Sequence, residues 1–206
     1  GGRKNETKKI MDTLRPITKE EFDKTQNTLG MFVEKLFEKK GMLPFIFMVL
    51  TRRETEEGFN NAVIPFNDEM LEHRQDMVYR AGQHIGGLCG CEAEIPPELR
   101  NPVMIASMSE AWVSIKNKDK MNDPMIFEGN KIMRPSDDPN RKEVVMLAVM
   151  TRDGRTAMKG YEIVDNKGKR TLKKWDLMDS EIGEDVSIES PLLSQFWLGL
   201  YGMRQA

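Results

Sequence analysis

Two cysteines and two histidines are all that this chain of 206 residues contains. The thiols, Cys89 and Cys91, have one residue between them, and a disulfide there would close a very small, strained ring. Reduced thiols are therefore expected, as in a cytoplasmic protein. No run approaches the roughly 20 consecutive apolar residues that a membrane helix needs. No apolar signal core follows the basic N-terminus, so secretion is not expected either. A strong charge of one sign is also missing: 31 Lys and Arg stand against 33 Asp and Glu, for a net charge of -2. Proteins devoted to nucleic-acid phosphate usually carry a basic excess. What is present, 39% hydrophobic and 31% charged residues, suits a chain that buries its own core without metal or disulfide staples.

Residues 1–16 are polar and charged and read as a flexible tail, leaving 17–206 as one domain. Thr18 and Glu21 have the spacing of a capping box, with Ile17 and Phe22 at the staple positions. Phe22, Leu29, Phe32, Val33 and Leu36 then recur at helical spacing, and Lys39, Lys40 and Gly41 supply a stop. A helix over about 18–40 follows. Phe45 to Leu50, six apolar residues in a row, predicts a strand buried on both faces. Asn61 to Phe66 predicts a second strand, placed at an edge or ending there because Pro65 lacks an amide hydrogen. Asn67 or Asp68 can cap a helix carrying Leu71, Val78, Ala81, Ile85 and Leu88 on one side. A third strand runs from Val103 to about Ile115. Asp153-Gly154, between two β-rich runs, is the strongest hairpin signal, and residues 143–178 read as a three-stranded meander. Ser190-Pro191 starts a short C-terminal helix. Strands grouped late in the chain indicate an α+β fold. The expectation is a largely antiparallel sheet of about five to six strands, two main helices packed on one face and a short C-terminal helix.

His73, His84, Cys89 and Cys91 are ligand-type residues lying close in sequence. However, two helical positions 11 residues apart stand about 16 Å apart along the axis, so the histidines cannot share an ion. His84, Cys89 and Cys91 could supply three ligands if Gly86 and Gly87 curl the chain back, but they need an outside fourth and their spacing is not a strong zinc pattern, so no metal is expected. Cys89 near a helix C-terminus lacks the dipole that would activate a thiolate. Gly82, Gly86, Gly87 and Gly90 fall within and after a helix rather than between a strand and a helix start, so they do not form a phosphate loop. Neither a catalytic residue nor a cofactor is assigned.

The third strand is more informative. Alternation places Met104, Ala106, Met108, Glu110 and Trp112 on one face. A carboxylate between Met108 and Trp112 must find a partner, and Arg134 or Arg141, beyond a long connection over 117–142, could return to it. Glu110, Trp112, Arg134 and Arg141 are the candidate ligand-binding residues, weighed against a structural ion pair that closes the connection over the sheet. Lys167, Lys169, Arg170, Lys173 and Lys174 read either as guards on an exposed edge strand or as a single-stranded nucleic-acid surface, the first being favoured. Phe196, Trp197 and Tyr201 on the terminal helix are the partner-binding candidates, weighed against docking within the chain.

Ser109-Glu110-Ala111-Trp112, followed by Arg134-Pro135-Ser136 and by Asp138-Pro139-Asn140-Arg141-Lys142-Glu143 leading into a hydrophobic strand, resembles a pattern in an uncharacterised family of bacterial and phage-associated proteins. The resemblance covers 109–153. It implies no reaction, and it directs attention to the Glu110–Arg141 region. The reading that follows is a non-enzymatic binding or protein-interaction module, with a protein or small molecule as partner and a homodimer as the other use of the terminal helix. A small enzyme using Glu110 with Arg141 or Arg134 is the alternative, and a single-stranded nucleic-acid binder using 167–174 is the third reading.

Overall fold

The computed structural model describes residues 14–54, 56–87, 94–113, 142–175 and 191–203. Helix α1 spans Lys19–Lys40. Its capping box is closed on both sides: the Thr18 hydroxyl accepts from the Glu21 amide, and the Glu21 carboxylate accepts from the Thr18 amide, each at 3.1 Å. Gly41, at φ 67°, takes the left-handed stop and donates its amide to the Phe37 carbonyl at 2.6 Å.

Strands β1 (Ile46–Arg52) and β2 (Phe59–Ile64) form the first hairpin. Asn67 then caps a single turn, α2 (Asp68–Leu71), by accepting from the Met70 amide at 2.9 Å. Glu72 and His73 separate it from α3 (Arg74–Ile85), so the one helix expected here is two. A 3-10 turn at Pro97–Leu99 leads into β3 (Pro102–Val113). Strands β4 (Lys142–Thr151), β5 (Thr156–Asn166) and β6 (Lys169–Lys174) form the meander, and α4 (Pro191–Tyr201) follows. The Asp153-Gly154 signal is a hairpin, with Met150 opposite Thr156 and Gly154 at φ 91°. The next turn holds Lys167 at φ 56° and Gly168 at φ 87°, the two left-handed positions of a hairpin connection that matches strand twist.

Among the described residues the sheet has six strands in the order β2-β1-β3-β4-β5-β6, each pair antiparallel. This is the α+β architecture the sequence implies. The packing of the helices corrects one expectation: they cover both faces, not one. Ile46, Met48 and Leu50 lie with Met104, Met108, Leu147 and Ile163 beneath Leu29, Val33 and Phe37 of α1. Phe47, Val49, Ile105 and Ala148 lie on the other side with Val78 and Ile85 of α3 and Leu193, Phe196 and Trp197 of α4. The physical reason is visible in β1. All seven of its residues are buried, and an unalternating apolar strand needs a covered surface on each side.

Helices α3 and α4 pack unusually closely. A Cβ added at Gly82 would run into the Phe196 carbonyl, one at Gly86 into the Leu200 carbonyl, and one at Gly199 into the Tyr79 carbonyl. Gly82 and Gly86 are four residues apart and share a helix face. They serve a backbone-to-backbone approach that no residue with a Cβ permits.

Candidate functional site

Glu110 lies on β3 with its side chain on the α1 face, as strand alternation requires. Met104, Ala106 and Met108 of the same face are fully buried, whereas the Glu110 side chain keeps 24% of its exposure at the border of the core. Its carboxylate is satisfied from two directions. Oε1 accepts from the Leu43 backbone amide at 2.7 Å, just past the end of α1. Arg170 of β6 grips both oxygens, Nη2 to Oε2 at 3.0 Å and Nη1 to Oε1 at 3.5 Å.

Arg170 is in turn held on every side. Its Nη1 donates to the Gly41 carbonyl at 2.8 Å and its Nη2 to Oε1 of Glu143 at 2.6 Å. The guanidinium lies over the Phe37 ring at 5.5 Å. Hydrogen bonding to Glu110 raises the Arg170 pKa above its ordinary value, against the opposing effect of burial. One planar cation therefore ties β3, β4, β6 and the C-terminal end of α1 together. The helix terminus contributes its negative dipole to the same cation, and the forked geometry is one that lysine cannot reproduce. Trp112 stands beside this clamp, directly opposite Glu143 on β4 and 36% exposed. Met42, between the two backbone groups that join the clamp, is 55% exposed.

Glu110 is thus paired, but with an arginine other than the two expected. Arg134 and Arg141 lie outside the described residues, and the guanidinium at Glu110 comes from the segment read as an edge guard. Parity along β6 carries the signal that separates the two roles. Arg170 and Leu172 share the inward face, whereas Lys169, Thr171 and Lys173 take the other. An arginine on the core side of a lysine-rich strand marks a bidentate partner. The remaining basic groups are partly neutralised as well: Lys142 pairs with Glu162 at 3.1 Å, and Lys173 stands opposite Glu162.

A second clamp involves residues that carry no site signal in the sequence. Arg52, at the end of β1, has a side chain only 5% exposed and donates to both oxygens of Glu21, at 2.5 and 3.2 Å. It also donates to the carbonyls of Arg15 and Pro16 and lies over the Phe59 ring at 5.4 Å. The last two residues of the expected tail are therefore tied to the sheet. The Arg52 hydrogen bond holds the Glu21 carboxyl down at about 2, despite burial acting the other way.

The terminal helix corrects the partner-binding expectation for two of its three residues. Phe196 is fully buried and Trp197 is 7% exposed, in edge-to-face contact with each other and packed toward Phe47. Only Tyr201 remains at the surface, 49% exposed, its hydroxyl accepting from Arg152 at 3.1 Å. The short stripe reads as an interface because a terminal helix has few residues to hide it. Here the other wall is the second face of the sheet. Among the described residues, no group of three or more His, Cys, Asp or Glu could hold a metal ion, and Cys89 and Cys91 lie outside them. Among the described residues, no helix is long and apolar enough to cross a membrane. No protein-family model, curated protein or solved structure matches the chain.

Proposed function

We propose that the chain is a binding or protein-interaction module, in which Glu110 and Arg170 build the surface rather than perform chemistry on it. One observation supports this reading above the others: both oxygens of Glu110 are already engaged by partners inside the chain. A general base needs a lone pair aimed at a substrate proton, and here the carboxylate faces a guanidinium and a backbone amide. The clamp instead fixes where α1 ends and where Trp112 stands.

Replacing Glu110 by Gln tests this without a known ligand. Groups kept for chemistry are commonly held at a cost to stability, and their replacement stabilises the fold. A structural clamp behaves in the opposite way. Hydrogen bonds to charged groups contribute about 1.5–3 kcal/mol, and partial exposure places Glu110 near the low end of that range. Glu110→Gln is expected to lower stability by about 1–2 kcal/mol in urea denaturation, with an unchanged far-UV spectrum. An increase in stability would reject the reading in favour of an enzyme or a ligand site at Glu110.

A further inference from the structure

The two edges of the sheet are treated differently. The β6 edge carries Lys169, Lys173 and Lys174, the usual protection against pairing with another chain. The β2 edge, Phe59-Asn60-Asn61-Ala62-Val63-Ile64, has no charged residue at all. Among the described residues, β2 pairs only with β1.

Among the described residues, the face of β2 on the α1 side is also open. Val63 stands opposite Met48, which belongs to the core under α1, yet Val63 is 54% exposed. The orientation of α1 follows from its contacts. Asn27 and Phe37 reach Lys159 and Arg170, toward β5 and β6. Glu21 reaches Arg52, which lies over Phe59 at the start of β2. Phe32 is eleven residues beyond Glu21, about three turns, and so lies on the same flank. It is 40% exposed. An edge strand without charged residues, ended by Pro65, therefore lies on the same side of the sheet as the Phe32 flank of α1, with Phe32 and Val63 as exposed apolar groups on that side. Strand addition into an edge-and-helix groove is a recurring mode of peptide recognition.

Charge selects the occupant. Before β2 stand exposed Glu54, Glu56 and Glu57 against Arg53, which pairs with Glu56 at 3.2 Å, and after it stand exposed Glu69 and Glu72 against Arg74, so each end keeps an acidic excess. Two copies paired antiparallel through β2 would bring these acidic ends together, and like charges disfavour that arrangement. A segment with basic ends fits instead.

We propose that the β2 edge receives an extended peptide segment of a partner protein, apolar at alternate positions and basic at both ends. This rests on the binding-module reading and gives it a surface and a partner chemistry. The test is selection from a phage-displayed random-peptide library on the full chain. Enriched peptides are expected to alternate apolar residues between terminal Lys or Arg. They are expected to bind Val63→Lys about tenfold more weakly or worse, a loss of about 1.4 kcal/mol, and to weaken as salt screens the acidic ends. N-methylation of alternate backbone amides in the best peptide should abolish binding by removing ladder donors. Because Val63 is on the surface, Val63→Lys should melt like the parent, and Phe32→Ser gives a second variant on the helix side. Peptides that bind both variants as tightly as the parent would overturn the β2 assignment while leaving the module reading in place. Indifference to N-methylation, or no enrichment at all, would overturn strand addition. The module reading itself falls only with the Glu110→Gln result above.

Discussion

Acid should loosen this fold at one identifiable place, the Glu21–Arg52 clamp. The Glu21 carboxyl is lowered from 4.5 to about 2, chiefly by its hydrogen bond to Arg52. The folded state therefore resists protonation at a pH where the unfolded chain accepts a proton. The resulting stability is fully present above about 4.5 and is lost as pH falls toward 2. Converted directly, the displacement is a ceiling of about 3 kcal/mol. With the Glu21 side chain 23% exposed, about 2 kcal/mol is the better figure after allowance for solvent screening. Glu21→Gln keeps an acceptor for the capping box but removes the charge facing a guanidinium that is 5% exposed. It should cost about 2 kcal/mol at neutral pH, or about 4–8 °C in Tm for a chain of this size. Urea denaturation at pH 7, 5, 4 and 3 provides the assay. The parent should lose stability across the acid range, and by pH 3 the variant should have lost about 1.5 kcal/mol less. Parallel pH profiles for the two proteins would refute the assignment, as would a variant equal to the parent at pH 7.

The other expectations concern packing and the terminal helix. Gly199→Ala pushes a methyl group into the Tyr79 carbonyl, so α3 and α4 must separate; a loss of about 3 kcal/mol or more is expected in thermal or urea unfolding, and a neutral result would contradict the close crossing. Phe196→Ala should cost about 3–5 kcal/mol because the ring is fully buried. Tyr201→Ala, at the exposed end of the same helix, should cost about 1 kcal/mol or less. Equal effects in the same unfolding assay would mean that α4 does not dock as described.

Much of the fold is legible in the sequence because its signals are local. Thr18, Glu21 and Gly41 bound α1 within a few residues, and Asp153-Gly154 and Lys167-Gly168 set both hairpins of the meander. The run from Phe45 to Leu50 also announced two covered faces, and that message was stronger than the grouping of strands that suggested one. Glu110 could be singled out because alternation alone puts it among apolar neighbours. Its partner could not be found by nearness in sequence, since Arg170 arrives from 60 residues away through the order of three further strands. Only its position on the inward face of β6 distinguishes it from the surrounding lysines. Arg52 was hidden for a related reason. It ends a hydrophobic strand at the start of a polar run and looks like part of the turn, whereas Glu21 and the Arg15 and Pro16 carbonyls make it a buried tie.

The Glu110–Arg170 clamp is tested most directly by a double-mutant cycle combining Glu110→Gln and Arg170→Met, read as unfolding free energies in urea at neutral pH. Residues joined in one charged, hydrogen-bonded network give coupling energies of about 0.5–3 kcal/mol, and the bidentate grip together with the shared helix end predicts about 1–2 kcal/mol here. Additive losses, with no coupling between the two positions, would contradict the clamp.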